Sequence, residues 1–213
     1  MDPTRNSNMY PDLETYIKST LEEAHLISEA RKNLLTRLAK YIQEKRANGQ
    51  LIALNFICTH NSRRSHLSQI WAATAANFFG LINIATFSGG TEATAFNPRA
   101  AAAMERAGFQ IEDPGGSNPH YQVSFSPDVP ALECFSKTFN DPVNPQKEFA
   151  AIMTCSDADE NCPFIPRAEL RLPLTYNDPK QADDTPEETA RYDERVRQIG
   201  REIFYAMKLV TQS

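Results

Sequence analysis

The sequence predicts an α/β fold, an open four-stranded parallel sheet with helices on both faces, preceded by an N-terminal helical extension. Three observations carry that prediction. From residue 51 onward, apolar runs of strand length recur: "LIALNFI", "LINIATF", "FAAIMT" and "LRLPL". Stretches with apolar residues three and four apart alternate with them, as amphipathic helices require. Strand, helix, strand, helix in that order is the pattern of parallel strands joined by crossovers.

The elements follow in order. Residues 11–48 carry helical signals. In "SEARKNLLTRLAKYIQEKRANG" the residues Leu34, Leu35, Leu38 and Ile42 form one apolar stripe, Ser28 is placed to cap it and Gly49 to stop it. Residues 1–50 are therefore expected to be a helical extension, and residues 51–213 the α/β domain proper. After "LIALNFI" comes a helix with Leu67, Ile70, Trp71, Thr74, Ala75 and Phe78 on one face, closed by Gly80. "LINIATF" leads through Gly89 and Gly90 to a helix capped by Asn97, opened by Pro98 and ended by Gly108. Residues 109–148, rich in Pro, Gly and Asn, read as an excursion of long loops. "FAAIMT" ends at Cys155, and "LRLPL" precedes a last helix running to about Val210. Its start, "TPEE", reads as a capping box in which Thr185 bonds forward and Glu188 bonds back.

The chain has 213 residues and a formal charge of −5, which disfavours a nucleic-acid or anionic-membrane partner because there is no basic surplus to meet phosphates. No run approaches eighteen apolar residues, and "MDPTRNSNMY" lacks the basic start and apolar middle of a signal peptide. A soluble, cytoplasmic protein is the expectation. In that setting four cysteines point to redox, nucleophilic or metal chemistry, or to packing, rather than to structural disulfides.

Ligands of open parallel sheets bind beyond the carboxyl ends of the strands. Cys58 and Cys155 both directly follow apolar strands, so both belong on that edge. Cys58 opens the polar stretch "CTHNSRRS", in which Cys58 and Arg64 have the spacing C-x5-R. Curled around an anion, such a loop points successive N–H groups inward, the following helix adds its positive dipole end, and the Arg64 guanidinium clamps two oxygens. The same nest stabilises a thiolate and makes Cys58 nucleophilic. Ser65 is placed to donate to the sulfur, and Asn61 tolerates the left-handed backbone a tight loop needs. A merely buried Cys58 would leave the polar run without a reason.

The stretch from Cys58 to Ser65 resembles the phosphate-binding loop of low-molecular-weight protein tyrosine phosphatases and of the thioredoxin-coupled arsenate reductases that share their fold. The resemblance covers about residues 51–210. It implies Cys58 as nucleophile and Arg64 as oxyanion clamp. Thr59, His60, Asn61, Ser62, Arg63, Arg64 and Ser65 would form the oxyanion loop, with Asn61 and Ser65 as its supports. Two residues depart from the pattern: His60 stands where these families usually have glycine, and Arg63 where many reductases have a second cysteine. In "YNDPK" the resemblance places the general acid at Asp178; the other "NDP", at Asp141, reads as a turn.

"CSDADENCP" decides between hydrolysis and reduction. A phosphatase needs one cysteine, because water resolves its thiophosphate. Reducing an oxyanion takes two electrons, which thiols supply by ending as a disulfide. Cys155 and Cys162, with six residues between them, resemble the redox segment of the arsenate reductases. The likeness implies a relay from Cys58 to Cys155 to Cys162, with thioredoxin as electron donor and neither organic cofactor nor metal. Zinc is the weaker alternative, since His25, His60, His66 and His120 are scattered and the cysteine spacing is too wide for a knuckle. Asp157, Asp159 and Glu160 read as solvation of a mobile loop, and Cys134 as a packing residue. The expected substrate is a small tetrahedral oxyanion: arsenate, phosphate or sulfate. Two alternatives stand beside arsenate reduction: a phosphatase acting on phosphotyrosine or a small phosphomonoester, and a non-catalytic sensor of oxyanions or oxidants.

Overall fold

The computed structural model describes residues 8–161 and 164–212. In chain order its elements are helix α1 (Pro11–Leu21), a 3-10 turn (Glu22–Leu26), α2 (Glu29–Ala47), β1 (Ile52–Cys58), α3 (Arg64–Phe78), β2 (Ile84–Gly90) and α4 (Pro98–Arg106). They continue with β3 (Gln110–Glu112), β4 (Tyr121–Ser124), β5 (Leu132–Cys134), β6 (Phe149–Met153), α5 (Ser156–Asn161), β7 (Ala168–Pro173), a second 3-10 turn (Pro179–Ala182) and α6 (Glu188–Val210).

The expected four-stranded parallel sheet is present, in the order β2-β1-β6-β7. Side chains of a strand alternate between faces, and the two central strands are apolar on both. Ile52, Leu54 and Phe56 of β1, with Ala150 and Ile152 of β6, enter the larger core. Ala53 and Ile57, with Phe149, Ala151 and Met153, enter a smaller one on the opposite face, where Ala158 of α5 and Ile165 cover them.

The larger core also takes in the N-terminal helices, through Leu13 and Ile17 of α1 and Leu35, Leu38 and Ile42 of α2. Ser28 caps α2 as expected, its hydroxyl accepting the Arg31 N–H at 3.4 Å, and Gly49 leaves the helix at φ +64°. Asn97 likewise caps α4, accepting from Arg99 and Ala100, and Gly108 follows at φ +103°. Helix α3 is buried almost all round rather than on one stripe, because it is enclosed between the sheet and α6.

Four expectations are corrected. Gly89 and Gly90 do not lead out of the second strand but complete it, pairing with Ile57 and Cys58. That strand starts late, at Ile84, because the Leu81 N–H closes the end of α3 on the Ala76 carbonyl. Residues 109–148 are not loops alone: β3, β4 and β5 form a separate antiparallel sheet, with strands of three or four residues, too short for alternation to register in the sequence. The capping box at Thr185 does not form. The Thr185 hydroxyl turns back to the Ala182 carbonyl at 2.7 Å, Glu188 accepts the Asp184 N–H at 2.7 Å, and α6 begins only at Glu188.

Helices α3 and α6 meet closely at Gly200, where a Cβ would stand 2.9 Å from the Trp71 ring. Trp71 is itself fixed edge-on by Phe109 and Phe204, so it has nowhere to go. Gly200→Ala is expected to lose about 1–3 kcal/mol to overpacking despite alanine's better helix propensity. A lower urea midpoint at unchanged slope is the measurement that checks it.

Candidate active site

The loop from Cys58 to Arg63 is shaped by where its carbonyls go. That of Cys58 accepts the Thr91 N–H at 3.1 Å, that of Thr59 the Glu92 N–H at 2.8 Å, and that of Ser62 the Asn97 N–H at 2.8 Å. His60 O accepts from the hydroxyls of Thr94 and Ser136, both at 3.0 Å. With the carbonyls held outward, the opposite sides of those peptides face in. Among the described residues the N–H groups of His60, Asn61, Ser62 and Arg63 donate to no protein acceptor. Helix α3 starts at Arg64, so its unpaired N–H groups join the same concavity.

Asn61 has φ +43° and a fully buried side chain that braces the loop. Its Oδ1 accepts the Lys137 N–H at 2.9 Å, and its Nδ2 donates to Ser65 Oγ at 2.8 Å. Having accepted that bond, Ser65 has its own proton available for Cys58 Sγ, 3.1 Å away. Gly90 lies beneath the loop: a Cβ there would stand 2.3 Å from Glu92 O, 2.6 Å from Thr59 O and 2.7 Å from the Asn61 nitrogen.

Arg64 is buried and gripped at its far end, Nη1 donating to Tyr176 O at 3.0 Å and Nη2 to Asp178 Oδ2 at 2.7 Å. Its Nε is buried with no partner among the described residues, leaving a donor free for an oxyanion. Asp178 also accepts the Lys180 N–H at 3.0 Å, which fixes the start of the second 3-10 turn. The Arg63 side chain runs past Asp178, its Nε 4.0 Å from Oδ1, and is held by the final helix side: Nε donates to the Tyr192 hydroxyl at 2.8 Å and Nη2 to Asp183 at 3.4 Å. His60 is half-exposed, 3.7 Å from Glu92.

Cys155 lies on the same sheet edge, after the strand adjacent to the one that ends in Cys58. Its buried Sγ accepts the Ala158 N–H at 3.3 Å and is 3.4 Å from the Thr59 hydroxyl. Both sulfurs therefore belong to one apolar cluster, joined through a loop residue. Residues 156–161 form the short helix α5, not a loose loop. Asp159 does more than solvate it, pairing with Arg171 of β7 at 2.6 Å. Cys162 lies outside the described residues. Cys134 is fully buried, and burial pushes its thiol up to about 12, so it packs as a neutral thiol. Asp141 accepts the Val143 N–H at 3.0 Å, as a turn residue does. Among the described residues no group of three His, Cys, Asp or Glu could hold a metal ion, and no helix is long and apolar enough to cross a membrane.

Several contributors escape sequence reasoning. Thr91, Thr94 and Ser136 are struts with no motif of their own, and Lys137 reaches Asn61 only because the segment after β5 returns beside the loop. His66 is fully buried against Phe96, with Nδ1 3.2 Å from the Ser88 hydroxyl. Burial, and secondarily the Lys137 charge, hold its pKa down to about 3.

No protein-family model matches the chain. Among solved structures, a YwlE mutant from Bacillus subtilis superposes with a TM-score of 0.53 at 15% identity, covering 75% of this chain and 99% of that one. A YwlE arginine phosphatase with a phosphorylated active-site serine gives 0.50 at 13% identity, over 76% and 97%. The chain thus shares its fold with these YwlE structures, and its cysteine loop lies at the carboxyl edge of a four-stranded parallel sheet. Sequence kinship is narrower. An arsenate reductase of Bacillus licheniformis is 30% identical over 149 residues, 70% of this chain and 89% of that protein. That of Halalkalibacterium halodurans is also 30% identical, with the same coverage. The chain belongs to the arsenate reductase family.

Two predictions follow from this geometry. Gly90→Ala pushes the Thr59 and Asn61 backbone out of place, and arsenate or phosphate affinity is expected to fall at least about tenfold, read by calorimetric titration. His66 makes stability pH-dependent. Its ordinary value is 6.5 and its folded value about 3, so below 6.5 the unfolded chain takes up a proton that the folded one refuses. Stability is complete above 6.5 and declines toward 3, by up to ~1.4 kcal/mol per pH unit. Urea midpoints measured across that interval should fall for the wild type and flatten in His66→Asn.

Proposed function

We propose that the chain reduces arsenate to arsenite through a three-thiol relay recycled by thioredoxin in the reducing cytoplasm, and that residues 51–213 carry the chemistry, with residues 1–50 as a buttress. The Cys58 thiolate attacks arsenic within the ring of loop N–H groups and the Arg64 guanidinium. Asp178 gives a proton to the departing oxygen, which leaves as water. Cys155 then attacks Cys58 Sγ; the sulfur–sulfur bond forms, the arsenic–sulfur electron pair passes to arsenic, and As(V) departs as As(III). Cys162 next attacks Cys155 and frees the Cys58 thiolate. The remaining Cys155–Cys162 disulfide is reduced by a dithiol donor, for which thioredoxin is the fitting class.

The observation that carries this reading is the Thr59 hydroxyl 3.4 Å from Cys155 Sγ, which puts a second thiol against the nucleophile's own loop. Ester hydrolysis would need Cys58, Arg64 and Asp178 alone. In a thioredoxin-coupled assay following NADPH oxidation with arsenate, Cys58→Ser, Cys155→Ser and Cys162→Ser are each expected to lose at least about a thousandfold in turnover. After one turnover without thioredoxin, peptide mapping should find Cys155 joined to Cys162. Arsenate turnover surviving in Cys162→Ser, or no arsenate-dependent thiol loss beside intact aryl-phosphate cleavage, overturns the relay.

A further inference from the structure

Behind the segment that bears Asp178 lies a cleft of about 540 Å3 whose wall is dominated by guanidinium groups: Arg31, Arg195, Arg197 and Arg201. Two carboxylates answer these four cations. Glu202 pairs with Arg31 at 2.5 Å, and Glu23 is shared by Arg197 at 2.7 Å and Arg201 at 3.1 Å. Glu194 also lines the cleft but is engaged by Arg191 at 2.6 Å. Arg195 has no ion pair among the described residues, although it is only 5% exposed. Its Nη1 donates to the Gln198 side-chain oxygen and its buried Nε has no acceptor. Burial pushes this guanidinium below the ordinary arginine value. In a chain of net charge −5, such a surplus is a local construction, and a buried guanidinium that Glu194 and Glu202 reach only through space, with no ion pair of its own, has room for an added anion.

The charge count selects the anion. A surplus of two positive charges matches a phosphate dianion better than a single carboxylate, and a guanidinium fork meets phosphate oxygens in pairs. The cleft is also joined to the active site. Arg31 Nη1 donates to Thr175 O at 3.1 Å from the cleft side, while Arg64 Nη1 donates to the next carbonyl, Tyr176 O, at 3.0 Å from the loop side. Arg195 further borders a smaller cavity that Asp178 lines.

We propose that this cleft is a second anion site, distinct from the cysteine loop, that binds a phosphate dianion, free or as a monoester, on Arg195 with Arg31 and Arg201 beside it. The site stands on these contacts and does not depend on the thiol relay. It is tested by calorimetric titration of the reduced, full-length protein at about pH 8, where phosphate is doubly charged, with ionic strength held constant by chloride. Inorganic phosphate is the first probe and glycerol 2-phosphate the second. Wild type should show two binding events for at least one probe. Arg64→Met should remove the loop event alone. Arg195→Met should remove the other, leaving the KM for arsenate in phosphate-free buffer within about twofold. If Arg195→Met fails to fold, Arg201→Gln should weaken the same event at least about fivefold. Loss of the inorganic-phosphate event marks a free-ion site, and loss of a glycerol 2-phosphate event alone marks a monoester site. A single event in wild type for both probes, or a second event unchanged in Arg195→Met and Arg201→Gln, overturns the proposal.

Discussion

Everything at the active edge depends on the outward rotation of four peptide carbonyls in one loop, those of Cys58, Thr59, His60 and Ser62, which are tied down from outside. A peptide's two polar groups point in opposite directions, so each tie on an oxygen aims a neighbouring N–H at the hollow. Donors fixed in this way need no reorganisation when negative charge arrives, which is where an electrostatic site gains its strength. The struts that hold the oxygens come from residues 91–97 and from Ser136, so the loop is only as firm as the segments after β2 and β5.

The sheet supplies the second constraint. Parallel neighbours end on the same edge, and β1 and β6 are neighbours, so two cysteines far apart in the chain emerge side by side without any long-range turn having to be specified. Kinship with arsenate reductases and a phosphatase-type fold are consistent with one scaffold serving two chemistries. In this chain the loop and a second thiol stand against one another at that edge, Cys155 Sγ lying 3.4 Å from the Thr59 hydroxyl.

How much of this was legible beforehand follows from the range of the interactions involved. The strands, the Ser28 and Asn97 caps and the strand-to-Cys58 junction are set by residues within a few positions of one another, and local pattern found them. The failure at Thr185 is instructive: the sequence fits a capping box, but Glu188 instead accepts from Asp184 and pairs with Arg99 across a long sequence gap. Gly89 and Gly90 looked like a turn because glycine usually makes one. Here they are glycine because Phe139 and the cysteine loop press on them from elsewhere in the chain. His66, Lys137 and the struts share that non-local origin, and the arrangement of β3, β4 and β5 that delivers them is built from pieces too short to announce themselves.

Cys155 holds one last implication. Its sulfur accepts the Ala158 N–H and so closes the first turn of α5, a helix of six residues that has too few internal bonds to stand by itself. A sulfur drawn away from that N–H cannot keep that post. The position of this sulfur and the winding of the segment behind it are therefore one variable, because moving Sγ out of reach of the Ala158 N–H removes the bond that closes the first turn of α5.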